Sequence, residues 1–315
     1  MSSTFDWTKQ ISEVCLKANR KLAVLRSVNL LSRQTLDILY KLTVRSVIDY
    51  ALPVYCNTLK QTELARLENL QYRAAKIVTG AFSFTSRNKL NTELGWETIQ
   101  KRCNILSLNI FHKIHRYETR PLIRHCMPTP DIQQKYPSRS KGGYIPFKKL
   151  NHKFDNSFFP YTTILWNNLP KHVKCKDVVD FKQYIKTEFK PPRYKHFARG
   201  NKYSNSLLTK IRVGRSELNL HRFTIGLVDS PQCDCHFREE SSSHYFLDCF
   251  LYSNERRTMF GLFEHYIPKF TNFNKTRKLD IILNGYEIQN EDFVSLNTTL
   301  SIAVQNFILQ TKRFC

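Results

Sequence analysis

Four residues toward the C-terminal end have the types and spacing of a metal-ligand set. Cys233, Cys235, His244 and Cys249 stand in CDCHFREESSSHYFLDC, a Cys-x-Cys-x8-His-x4-Cys pattern. Three thiolates and one imidazole fill the four positions of a tetrahedral zinc ion. Four protein ligands leave no position for water or substrate, so the pattern predicts a structural Zn2+ and not a catalytic one. A single residue separates the first two thiols, so the loop between them must turn tightly. His244 and Cys249 lie about 140° apart around a regular helix and cannot share one of its faces. The chain is therefore expected to enter a helix near or after His244. The competing reading is of ordinary buried cysteines beside a surface histidine. His236, directly after Cys235, is an alternative ligand.

Such a site needs a scaffold, and the composition supplies one. The chain has 315 residues, 41% of them apolar and 13% aromatic, enough to bury a substantial core. Nine glycines leave little for glycine-rich phosphate loops, and neither the Walker pattern nor the dinucleotide fingerprint occurs. The 49 Lys+Arg outweigh the 26 Asp+Glu, a formal net charge of +23. A balance this basic attracts polyanions. RNA or DNA, bound largely without regard to sequence, is the expected partner. A membrane surface is the second class, but no run reaches 18 apolar residues, so no spanning segment is expected. The first ten residues, MSSTFDWTKQ, lack the apolar core of a secretory signal. An intracellular location, nucleus or cytoplasm, is the expectation. There the nine cysteines stay reduced, and a Cys/His cluster points to metal before disulfide.

Helical spacing dominates the first 120 residues. Ile11, Val14, Ala18, Leu22 and Leu25 predict one helix. Leu36, Tyr40, Val44, Ile48 and Ala51 predict a second, with Ser32 as its N-cap. Leu64, Leu67, Leu70, Ala74 and Val78 predict a third, closed by Gly80. Trp96, Ile99, Cys103, Leu106, Ile110 and Ile114 predict a fourth. Five prolines between 121 and 150 and the Gly142-Gly143 pair read as a linker. NSFFPYTTILWNNLP at 156–170 is a hydrophobic anchor, with a base-stacking platform as the weaker option. Val178 to Phe189 suggests a short helix. A helix-like run near Leu279–Leu283 precedes a final helix through Leu296, Leu300, Ala303, Val304, Phe307 and Ile308.

Residues 186–222 hold ten Lys/Arg against two Glu, with Phe189, Tyr194, Phe197 and Tyr203 interleaved. Cations pair with phosphates and aromatic faces stack on bases. Lys190, Arg193, Tyr194, Lys195, Arg199, Lys202, Lys210, Arg212, Arg215 and Arg222 are the candidate nucleic-acid contacts. The alternative is a basic, solvated linker. Beside the metal set, Tyr245 and Phe246 either stack on bases or cover the ion.

Several segments together resemble the region that follows the reverse-transcriptase palm in non-LTR, jockey-like retrotransposons. They are KANRKLAVLRSV at 17–28, LYKLTVRSVIDYALPVYCNTLKQTELARLENLQYRAAKIVTGA at 39–81 and NSFFPYTTILWNNLP at 156–170. LLTKIRVGRSELNLHRFTIGLVDSPQCDC at 207–235, HYFLDCFLYSNERR at 244–257 and FILQTKRF at 307–314 complete the series. Helical periodicity, together with the resemblance, gives a mainly α fold. It divides into a thumb-like helical region over 1–120, a Pro/Gly/basic linker over 121–155, an aromatic anchor and short helix over 156–200, and a small α+β region with a zinc knuckle over 201–315. Only Cys233, Cys235, His244 and Cys249 match a functional motif of that family, whose first cysteine pair usually has two intervening residues. The family's paired catalytic aspartates have no counterpart, since no Asp-Asp dipeptide occurs.

The expectation is thus a non-enzymatic, nucleic-acid-binding C-terminal fragment of a retrotransposon reverse transcriptase, with element RNA among its partners. The alternative is a zinc-stabilised protein-interaction remnant. An autonomous enzyme is the third reading. It would need a thiol beside a base, and Cys103 or Cys126 near His112, His115 and His125 are the formal options.

Overall fold

A computed structural model of the chain describes residues 7–117, 120–130, 143–189, 195–287 and 290–314. Among them no β-strand is present, and an isolated bridge joins Pro130 to Tyr144. The main helices are α1 (Thr8–Ser27), α2 (Arg33–Leu39), α3 (Gln61–Thr79), α4 (Arg87–Leu94), α5 (Ile99–Tyr117) and α6 (Phe158–Asn167). They continue with α7 (Val178–Phe189), α8 (Lys202–Arg212), α9 (Ser253–Tyr266), α10 (Lys275–Asn284) and α11 (Val294–Gln310). The fold is mainly α, as the periodicity requires. The expected α+β character of the C-terminal region is corrected: it is helices and turns. Its apolar residues recur at helical spacing, and the loop around Cys233 closes on itself before any ladder forms.

The helix boundaries follow local chemistry. Ser32 caps α2, its Oγ accepting the Thr35 N–H at 3.1 Å. The apolar stripe of the second predicted helix is not carried by one regular helix. It passes from α2 into a π-turn at Tyr40–Arg45, then a short helix Ser46–Asp49, and Ala51 takes a left-handed φ of 55°. Pro121 does not break structure but opens a short helix, Pro121–Cys126, where its missing N–H is no loss. Residues 131–142 of the predicted linker lie outside the described residues.

The chain forms two compact units that interleave along the sequence. The first comprises Met1–Leu22, Lys41–Gln71 and Gly95–Pro192. Its core joins Leu108 and Phe111 of α5 to Trp166 of α6 and to Phe181 and Ile185 of α7. The 156–170 segment is therefore an anchor: Trp166 is fully buried, 5.2 Å ring to ring from Phe111. Removing such a side chain typically costs about 3–5 kcal/mol. At the start of α5, a Glu68 carboxylate oxygen accepts the Ile99 N–H at 2.7 Å, which puts a negative group at a helix N-terminus.

The second unit comprises Ala23–Tyr40, Tyr72–Leu94 and Arg193–Cys315. Its core gathers Leu207, Leu208, Phe246, Phe263, Val304 and Phe307. The end of α3 is closed twice. Gly80 takes φ +68°, and Lys202 Nζ donates to the carbonyls of Ile77 (3.2 Å) and Val78 (2.5 Å). A cation on the last carbonyls of a helix satisfies them and complements its dipole.

Candidate metal centre

The metal-ligand set starts with a tight turn. His236 N–H donates to the Cys233 carbonyl at 2.8 Å, and Cys233 N–H to the Phe237 carbonyl at 3.0 Å. His236 absorbs the reversal with a left-handed φ of 66°. That places Cys233 and Cys235 side by side. The second half comes from a π-turn, His244–Asp248, which leads through a 3-10 turn at Phe250–Tyr252 into α9. One widened turn brings residues five apart onto the same side. The change of chain path expected near His244 is therefore this turn.

Cys233, Cys235, His244 and Cys249 are all buried, and their ligand atoms all lie within 4.8 Å of one another. The Cys233 and Cys249 sulfurs are 3.8 Å apart. That equals the edge of a tetrahedron with Zn–S bonds of about 2.3 Å. His244 Nε2 is 3.1 Å from the Cys235 sulfur. The four residues can hold a metal ion. His236 is exposed and stands outside this group.

Electrostatics agree with a site that needs a cation. Burial pushes the Cys233 thiol up to about 12 and raises that of Cys249. A backbone N–H opposes the shift at each, from Cys235 to the Cys233 sulfur and from Leu251 to the Cys249 sulfur. Burial lowers His244, which keeps its imidazole neutral, the form that ligates. A metal ion reverses the thiol balance outright, because a coordinated thiol is deprotonated. Phe237 stacks on the His244 ring at 4.3 Å, 4° from parallel, and so fixes its plane.

The surroundings lock the loop to the second unit. Glu240 is fully buried and takes Arg313 in a two-pronged pair, both contacts 2.6 Å. It also accepts the Asn219 N–H at 2.7 Å. Arg313 is thus a structural clamp. Arg256 donates to the carbonyls of Phe246 and Cys249. Tyr245 and Phe246 are fully buried, each within 5.6 Å of the Phe307 ring. Neither is placed to stack on a base.

The basic candidates scatter in role. Lys190, Arg193 and Tyr194 lie outside the described residues, and the Lys195 side chain is not described. Arg199 is exposed, and Arg215 and Arg222 are half-buried. Lys202 caps α3. Lys210 pairs with Glu217 at 3.3 Å. Arg212 is committed to the interior. With Arg33 it flanks the buried carboxylate of Glu93, at 2.5 Å and 2.8 Å respectively. Its guanidinium lies 3.7 Å from the Phe197 ring. Burial alone would raise the Glu93 carboxyl, but Arg212 and Arg33 together hold it below its usual range.

The thiol and imidazole candidates for an enzyme are dispersed. Cys103 lies against the Leu52 carbonyl and Ser107. His112 stacks on Phe181 at 3.9 Å, and His115 Nδ1 meets the Tyr144 hydroxyl at 2.6 Å. No helix among the described residues is long and apolar enough to cross a membrane. Compared with protein-family models, with curated proteins and with solved structures, the chain matches none.

Proposed function

We propose that this chain is a non-enzymatic nucleic-acid-binding protein whose C-terminal half is organised by a structural Zn2+. The observation that carries the reading is the buried Cys3His group on a chain of net charge +23. A soft, four-ligand, fully enclosed donor set suits zinc and leaves no coordination position for catalysis. The excess cations would supply affinity through phosphate contacts and counterion release. The order of segments resembling the post-palm region of jockey-like reverse transcriptases supports the same reading, and makes element RNA a reasonable ligand to test first. The experiment is binding of the purified full chain to a labelled RNA hairpin across a salt series. Affinity that falls linearly with log salt is expected. Binding that is absent, or indifferent to salt, overturns the reading.

A further inference from the structure

The second unit carries an exposed aromatic ring beside a half-buried one. Phe82 and Phe84 sit in the connection between α3 and α4. Phe84 is 61% exposed, and its ring lies 6.5 Å from Phe82 in a stacked arrangement. The connection is pinned. Thr85 N–H donates to the Phe82 carbonyl at 3.1 Å, closing a turn with Ser83 and Phe84 at its tip. The Tyr72 hydroxyl lies 2.6 Å and 2.8 Å from the carbonyls of Ser83 and Thr85. Ser206 Oγ of α8 donates to the Gly80 carbonyl at 3.1 Å. An exposed ring on a tethered turn is a preformed surface, since little conformational freedom remains to be lost on binding.

The sequence that carries this turn is basic. From Tyr72 to Thr92 the chain has four Lys/Arg and no acid. Lys76 Nζ and the Arg87 guanidinium flank the Tyr72 ring at 4.6 Å and 5.7 Å. Lys210, from α8, sets its ammonium 4.1 Å from the Phe82 ring. Lys210 also pairs with Glu217 at 3.3 Å. A ring pair with one cation over Phe82 and two more over the neighbouring Tyr72 suits a ligand with flat apolar faces on an anionic backbone, which describes single-stranded nucleic acid.

We infer that the Phe82–Phe84 turn, with Lys76, Arg87 and Lys210, is a base-stacking platform for single-stranded nucleic acid. The inference rests on the nucleic-acid reading above and assigns the stacking role to Phe82 and Phe84, which lie outside both the basic 186–222 stretch and the metal loop.

The test is fluorescence anisotropy of the full chain with labelled oligo(dT) and with an abasic oligomer of equal length, each over a salt series. Phe84→Ala is expected to weaken oligo(dT) binding about tenfold or more. Its affinity for the abasic strand and its salt slope should match wild type, and Phe84→Trp should restore binding. Lys76→Ala should instead lower the salt slope on both strands. If wild type binds both strands in a salt-dependent way and Phe84→Ala binds oligo(dT) equally well, the platform is wrong while nucleic-acid binding stands. If wild type binds neither strand, both readings fall. If Phe84→Ala changes only self-association in sedimentation, the patch belongs to a second copy and the inference is overturned.

Discussion

The backbone N–H of Cys249 donates to the carbonyl of His244 at 2.8 Å, a hydrogen bond that spans five residues instead of four. This single widened turn reconciles a spacing that a regular helix forbids with two ligands aimed at one centre. The residue count between His244 and Cys249 therefore matters more than most of the intervening side chains. Deleting Leu247 should abolish metal retention, while Leu247→Ala should keep it. Elemental analysis of both purified variants checks this.

Metal and stability should move together. About one zinc per chain is expected in wild type and close to none in Cys249→Ser, measured by mass spectrometry of the metal. Zinc modules draw on the order of 10–16 kcal/mol of apparent binding energy from their ion. Chelator should therefore lower the unfolding midpoint of wild type and leave Cys249→Ser unchanged. Equal zinc in the two proteins would remove the site.

Glu93 holds two arginines in a space where none of the three side chains meets much water. Removing one partner from such a group leaves an uncompensated buried charge, at a cost of about 3–5 kcal/mol. Glu93→Ala should lose that much in urea unfolding, and Arg212→Ala should also destabilise strongly. Arg199→Ala, at an exposed position, should stay within about 0.5 kcal/mol of wild type. Of these, Arg199→Ala is the one expected to report cleanly on nucleic-acid affinity.

Acid should weaken the fold through His196. The side chain is buried, its Nε2–H donates to the Asn284 carbonyl at 2.9 Å, and burial pulls its pKa down to about 4. The unfolded chain, with a histidine near 6.5, then binds more protons than the folded one between these values. The stabilising contribution is complete above about 6.5 and is lost as pH falls toward 4. It amounts to at most about 3 kcal/mol. His112, His115 and His221 are lowered by burial in the same sense. His196→Gln should flatten, without abolishing, the fall in stability between pH 7 and 4.5 in denaturant titrations.

Gly80 is required for two separable reasons. Its φ is +68°, and an added Cβ would lie 2.1 Å from Ser206 Oγ. Gly80→Ala should cost roughly 1–2 kcal/mol from the left-handed backbone alone, with the clash in addition. Pairing it with Ser206→Gly should recover the steric part only. A double-mutant cycle by thermal unfolding separates the two.

The helices were legible because each is written in a local period. Ser32, Gly80 and the stripes of α1, α3, α5 and α11 stand where spacing and cap chemistry place them. The metal set was legible for the same reason, since ligand types at short separations constrain a loop directly. The regular second helix was misread, because a stripe of apolar residues does not reveal where the backbone widens into a π-turn. The α+β character expected of the C-terminal region is not found, since among the described residues no strand forms there.

Sequence alone thus determined the helical class, the ligand quartet and the excess of positive charge. The tertiary structure decided which cations remain outside. Arg212 meets a carboxylate 119 positions away, Arg313 one 73 positions away, and Lys202 caps a helix more than 120 residues upstream. It also turned Tyr245 and Phe246 inward and left Phe84 out. The physical reason is range. Propensity, capping and ligand spacing act within a few residues, whereas burial and ion pairing depend on which distant segments close upon one another.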